Sequence, residues 1–246
     1  MAYLRSALLH LFALAFLCVG SAISSPQELR VLFIGNSLTY SNDLPAIVAA
    51  LAEASQQKRF VYKTIAYPDF GLEDHWKKGE AQKAMAKDKW DFVVLQQGPS
   101  GLPESRVSLI KYTHLFAEKI RAAGARPALY QVWPSAARFN DFPRVLESYQ
   151  LAAKEVNGLL LPVGAAWLSA WNRDASLKLY AEDQFHPSEM GSYLAALVLY
   201  EKLFGTPPSS VPTNLQYKSK KKAKIEVTKE QALLLQAAAT AANQQF

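Results

Sequence analysis

From residue 29 onward, short apolar runs alternate with longer stretches of mixed character. Leu29–Ile34, Phe60–Ala66, Phe92–Gln96, Ala128–Val132 and Leu159–Pro162 predict strands. Runs such as VLFI and FVVL suit parallel strands covered on both faces. Helices are predicted over Leu44–Gln56, Leu72–Lys87, Glu104–Ala123, Phe142–Asn157 and Ser188–Phe204. In the third of these, Val107, Ile110, Leu115 and Ile120 keep an approximate 3.6-residue period, and Gly124 ends it. Regular alternation of strand and helix predicts an α/β domain built on an open parallel sheet with helices on both faces. Such sheets bind ligands at the carboxyl ends of their strands. Candidate chemistry therefore belongs in the turns after the first three strands and in the loop before Ser188.

The start of the chain follows a different pattern. Arg5 is the only charge before Glu28, and Ala7–Gly20 is an almost unbroken apolar run followed by small residues. This is the pattern of a secretory signal peptide over residues 1–24, with cleavage after Ser24 favoured over Ala22. The run falls short of the roughly 18 to 20 residues of a membrane span, and an uncleaved anchor is the alternative. The single cysteine, Cys18, lies inside this segment, so the mature chain has no disulfide chemistry. The expectation is an exported protein, periplasmic or extracellular, with no stable membrane span after cleavage.

The chain has 246 residues, half of them apolar, which excludes a disordered polymer and suits one domain over 25–208. Residues 209–246 are expected as a lysine-rich connection and a C-terminal helix. Thr228-Lys229-Glu230-Gln231 has the capping-box spacing, and the Ala- and Leu-rich stretch after it favours a helix packing back on the domain. The formal charge of +6 becomes +5 when Arg5 is removed, and the five lysines at 218, 220, 221, 222 and 224 account for all of it. Without interleaved aromatic residues for stacking bases, that run reads as a solvated connection, and no nucleic-acid partner is expected.

Four short segments carry candidate chemistry. Gly35-Asn36-Ser37-Leu38-Thr39 follows the first strand; a serine at a strand-to-helix turn can present its hydroxyl to a substrate, and the same turn also suits purely conformational needs. Asp183-Gln184-Phe185-His186-Pro187 places an acid three residues before a histidine, which can orient the imidazole as a general base, or merely form a local loop contact. Phe70-Gly71 follows the second strand and Leu95-Gln96-Gln97-Gly98 the third. A glycine amide and a carboxamide are suitable donors to an oxyanion, and equally serve as a turn glycine and strand-end amides. His75 and His114 lie outside any metal-ligand spacing, and neither a metal nor a cofactor is expected. Trp76 is expected to pack, Trp133-Pro134 to end the fourth strand near the site, and Asn140 and Asp141 to start a helix.

GNSLT, a glycine after the second strand, a carboxamide after the third and D-x-x-H-P near the end together resemble the SGNH (GDSL-type) hydrolase superfamily. The likeness runs from about Arg30 to Phe204, and FGLEDHWKKGEAQKAM with KWDFVVLQQ is similar to a secreted bacterial branch. It implies a three-layer α/β/α sandwich around a flavodoxin-like five-stranded parallel sheet. It also implies Ser37 as nucleophile, His186 as base, Asp183 as its orienting acid, and the Ser37 and Gly71 amides as oxyanion donors. Two departures stand out. Asn36 replaces the usual Asp, and LQQGPS replaces the usual G-x-N-D, leaving Gln96, then Gln97, as the carboxamide donor; by count from Asp91, Ser100 stands near the usual Asn. The function expected is a serine esterase acting on small acyl, in particular acetyl, esters of small molecules or glycans. A lipid-acting acylhydrolase and an inactive glycan-binding protein on the same fold are the alternatives.

Overall fold

The computed structural model describes residues 28–215 and 225–246. The expected leader, 1–24, and the lysine run, 218–224, lie outside the described residues. Strand β1 (Glu28–Gly35) passes through a one-turn helix, α1 (Ser37–Tyr40), into α2 (Leu44–Ala54). β2 (Arg59–Ala66) leads to α3 (Leu72–Lys78) and α4 (Glu80–Lys87), β3 (Phe92–Leu95) to α5 (Pro103–Ala122), and β4 (Arg126–Tyr130) to α6 (Phe142–Glu155). β5 (Leu159–Leu161) leads to α7 (Val163–Arg173) and α8 (Glu189–Phe204), and α9 (Lys229–Gln245) ends the chain.

The five strands form one all-parallel sheet in the order β2-β1-β3-β4-β5. Val31, Leu32, Phe33 and Ile34 are all fully buried, as their unbroken apolar run demands of a central strand covered on both faces. α2, α7, α8 and α9 pack with one another in one layer, and α3, α4, α5 and α6 in the other. This is the three-layer α/β/α arrangement. The chain runs outward from β1 to β2, then crosses back to β3, so the strand order reverses between β1 and β3. The loops leaving those two strands must separate there and open a crevice. Ile34 is in register with Leu95, which sets the turn after β1 directly beside Gln96.

Most element boundaries fall within two residues of expectation, and three departures matter more. Leu72–Lys87 is two helices, because Gly79 adopts φ +75°, a left-handed conformation that ends α3 and starts α4. β4 begins and ends two residues earlier than expected, since its pairing with β3 starts at Arg126 opposite Phe92. Helix α7 is not among the expected helices: VGAAWLSAW is apolar almost throughout, and Asn172 and Arg173 add polar positions only in its last turn. Gly164 lets α7 approach the exit of β4, where a Cβ would lie 2.5 Å from the Val132 carbonyl. Trp167 then stacks on Trp133 at 3.8 Å.

The C-terminal helix α9 carries the Thr228/Gln231 capping box and buries Ala232, Leu235, Ala238, Ala239 and Ala242 against α7 and α8. Val107 faces solvent despite fitting the α5 period. No helix among the described residues is long and apolar enough to cross a membrane.

Candidate active site

Ser37 opens α1 immediately beyond the end of β1. Asn36 is its N-cap, and its Oδ1 accepts from the Leu38 amide at 3.1 Å. The same oxygen accepts from Gln96 Nε2 at 2.9 Å, while Asn36 Nδ2 donates to the Phe70 carbonyl at 3.1 Å. An ionised aspartate could not make that last bond, so Asn36 ties the serine turn to the loop after β2. Among the described residues no acceptor engages the Ser37 amide. Gly35 is required by close approach: a Cβ there would sit 2.4 Å from both Gln96 Oε1 and Thr39 Oγ1.

Asp183 and His186 reach the serine from the loop before α8. Asp183 Oδ2 lies 2.5 Å from His186 Nδ1, and His186 Nε2 lies 2.8 Å from Ser37 Oγ. Asp183 Oδ1 also accepts the amides of Phe185 and His186, at 3.0 and 2.9 Å. The His186 side-chain bond, followed by the Phe185 amide, holds the Asp183 carboxyl below the usual carboxylate range. A carboxylate at Nδ1 keeps the proton there and leaves Nε2 as acceptor for the Ser37 hydroxyl. The loop closes on itself through Ala181 N to His186 O, at 2.8 Å, and is anchored by Trp133 Nε1 donating to Phe185 O, at 3.0 Å.

The opposite wall is organised differently from the sequence expectation. Gln96 is completely buried. Its Oε1 accepts from the Asn36 amide at 2.8 Å and from Thr39 Oγ1 at 2.7 Å, and its Nε2 donates to Asn36 Oδ1 and Gln97 O. With both amide hydrogens committed, Gln96 is a scaffold for the serine turn instead of an oxyanion donor. Gln97 lines the cleft, yet its Nε2 donates to Ser100 Oγ at 2.8 Å and Ser105 O at 3.2 Å, and its Oε1 accepts from Leu72 N at 3.2 Å. Gly71 is also at the cleft, but the Phe70 carbonyl of its peptide is turned to Asn36. In a trans peptide the Gly71 N–H then points the opposite way, where Asp74 Oδ2 accepts it at 2.8 Å. Sequence reasoning missed Asp74; the G-x-x-D spacing at 71–74, which sets a carboxylate at the third helical position within reach of the N-cap amide, is the signal that could have found it.

These groups border an open cleft of about 630 Å³. Ser37, Gly71 and Gln97 line it together with Ser100, Ser105, Ser108, Ser135, Phe70, Phe185 and Arg138. Pro134 reaches this cleft, while Trp133 is buried behind it. Trp76 packs edge-on against Phe116, and His114 pairs with Glu155 at 2.7 Å on the surface. Asp141 precedes α6 without capping it and pairs with Arg138 and Arg144 instead. Among the described residues, no three His, Cys, Asp or Glu side chains gather as a metal-holding group.

No protein-family model matches the sequence, and no curated protein matches it. Solved structures do. The chain is similar to a protein from Slackia heliotrinireducens described as an SGNH hydrolase, at 31% identity and TM-score 0.62, over 72% of this chain and 100% of that one. A DUF4886 family protein from Bacteroides uniformis is 20% identical, with TM-score 0.71 over 88% of this chain and 95% of its own. An acetyl xylan esterase is 14% identical, with TM-score 0.58 over 70% and 98%. The last two, at that identity, share the fold.

Proposed function

Because the chain belongs to the SGNH hydrolase superfamily, we propose that it is an exported serine esterase that removes acetyl or similarly small acyl groups from carbohydrate esters. The hydrogen-bonded series Asp183–His186–Ser37 carries this reading. Ser37 Oγ attacks the ester carbonyl carbon while its proton passes to His186 Nε2. The Asp183 carboxylate stabilises the imidazolium so formed. The carbon–alcohol bond breaks as His186 returns the proton to the departing alcohol oxygen, leaving an acyl-serine. Water, deprotonated by His186, then attacks the acyl carbon, and Ser37 leaves with the proton.

The oxyanion is received first by the Ser37 amide, and by the Gly71 amide once the Phe70–Gly71 peptide turns, releasing Asn36 from Phe70 O and Asp74 from Gly71 N. The carbohydrate preference rests on the polar residues in the cleft lining, Ser108, Ser135, Arg138 and carboxylates such as Glu73, which suit a polyhydroxyl alcohol. Export rests on the N-terminal pattern and is checked by sequencing the mature N-terminus, expected at Ser25.

The test is hydrolysis of p-nitrophenyl acetate, a p-nitrophenyl medium-chain ester and acetylated xylo-oligosaccharides by wild type, Ser37→Ala and His186→Ala. Turnover of the acetyl substrates by wild type, with both variants inactive, is expected. Equal activity in wild type and Ser37→Ala removes the nucleophile assignment, and preference for the medium-chain ester removes the substrate class.

A further inference from the structure

A second histidine lies beneath the serine turn, and the steps above do not use it. His75 is 1% exposed. Its Nε2 lies 2.8 Å from the carbonyl oxygen of Gly35, two residues before Ser37. A carbonyl only accepts, so that nitrogen carries the proton, and Nδ1 is left as a buried acceptor with no partner among the described residues. Burial is the main influence on the ring and lowers its pKa, which keeps it neutral; the Gly35 bond and the Asp74 and Glu80 charges oppose this, and Lys78 acts in the same direction as burial. Phe70 lies edge-on to the ring at 5.2 Å and Tyr67 tilted against it at 6.0 Å, so its surroundings are aromatic.

A buried imidazole with one nitrogen unpaired is a poor choice for stability alone; an aliphatic side chain would leave nothing unsatisfied. What the imidazole supplies is a connection. Through its own amide, His75 also donates to Gly71 O at 3.3 Å. One residue thus grips the last carbonyl of β1 on the serine side and the backbone of Gly71 on the other. Tyr67 N donates to the same Gly35 oxygen at 3.2 Å, which adds a second hold on the peptide leading to Ser37.

We infer that His75 is a positioning residue for the esterase reaction: its Nε2–H bond to Gly35 O sets the separation of the Ser37 and Gly71 amides that receive the oxyanion. The inference rests on the serine-esterase reading. It requires that loss of the bond lower turnover more than substrate binding, because the two donors matter most when charge develops.

The experiment compares wild type, His75→Leu, His75→Gln, His75→Asn and Ser37→Ala in kcat and KM on p-nitrophenyl acetate, with Tm for each. Glutamine carries an N–H donor at about the reach of Nε2; asparagine carries the same group too short to meet Gly35. Expected are a fall in kcat of about 10²-fold for His75→Leu, the scale of a 1 Å misplacement, KM within about twofold, and substantial recovery in His75→Gln but not His75→Asn. Should His75→Leu not fold, the Gln–Asn pair decides alone. A folded His75→Leu with wild-type kcat, or equal kcat in the Gln and Asn variants, overturns the inference while an inactive Ser37→Ala leaves the esterase reading intact. An active Ser37→Ala overturns both.

Discussion

On one side of the cleft, Asp183 and His186 sit near the surface, their side chains 51% and 35% exposed, in a loop closed by its own backbone bonds. On the other, Gln96, Gln97 and His75 are buried, and each reaches across elements distant in sequence: β3 to the serine turn, β3 to α3, and α3 to β1. In the proposed reaction the exposed wall carries the groups that exchange protons, and needs solvent contact and only local order. The buried wall carries no proton in the reaction; it holds peptide groups at set separations, which requires rigidity. Substitutions on the first wall are therefore expected to act on rate with little effect on folding, and those on the second on folding and rate together.

The largest effects belong to the exposed wall. Ser37→Ala is expected to lower kcat by about 10⁶-fold and Asp183→Asn by about 10⁴-fold, by analogy with other serine hydrolases. Tm should stay near wild type, because the Ala181–His186 backbone bond persists. A large fall in Tm for Asp183→Asn would break the distinction between the walls.

Next comes the buried scaffold. Gly35→Ala forces a Cβ to within 2.4 Å of Gln96 Oε1 and Thr39 Oγ1 and should cost about 1–3 kcal/mol. Gln96→Ala strands the Asn36 amide and is expected to cost a similar 1–3 kcal/mol, or roughly 2–10 °C in Tm for a chain of this size. Denaturant and thermal unfolding of both variants, beside their activity, check this.

Acid should act on the same wall. Burial puts the folded-state pKa of His75 below its ordinary 6.5. The neutral ring therefore contributes stability that is fully present above about pH 6.5. That contribution is lost as the pH falls through the lowered folded value. Thermal melts between pH 7.5 and 5 should show a steeper loss for wild type than for His75→Gln. Parallel curves would remove His75 as the acid-sensitive group.

The smallest effect is expected at Gly71→Ala. Its φ of −92° suits any residue, and the nearest atoms to an added Cβ are Gln97 Oε1 at 3.5 Å and Asp74 Oδ2 at 3.7 Å, ordinary contacts. A cost under about 1 kcal/mol should appear in unfolding experiments, as for other N-cap changes to alanine.

Much of this molecule follows from local pattern. Unbroken apolar runs made parallel strands legible because a strand buried on both faces has no polar alternation to hide it. The Thr228 capping box and the D-x-x-H loop were legible because their bonds span three residues. Bonds between distant segments were not. Gln96 and Gln97 are adjacent carboxamides of like chemistry, and sequence could not say that one is spent on the serine turn and the other on α3. Nor could it show that Asn36 turns the Phe70 peptide, sending the Gly71 amide to Asp74. His75 looked like any helical histidine until Gly35 came within 2.8 Å. By itself the sequence determined the sheet, its order of elements and the residue types at each strand end, since these depend on period and composition. Only the tertiary structure decided which of those polar groups face the cleft and which are consumed in holding it, because a hydrogen bond goes to whichever partner the packing of distant segments brings within reach.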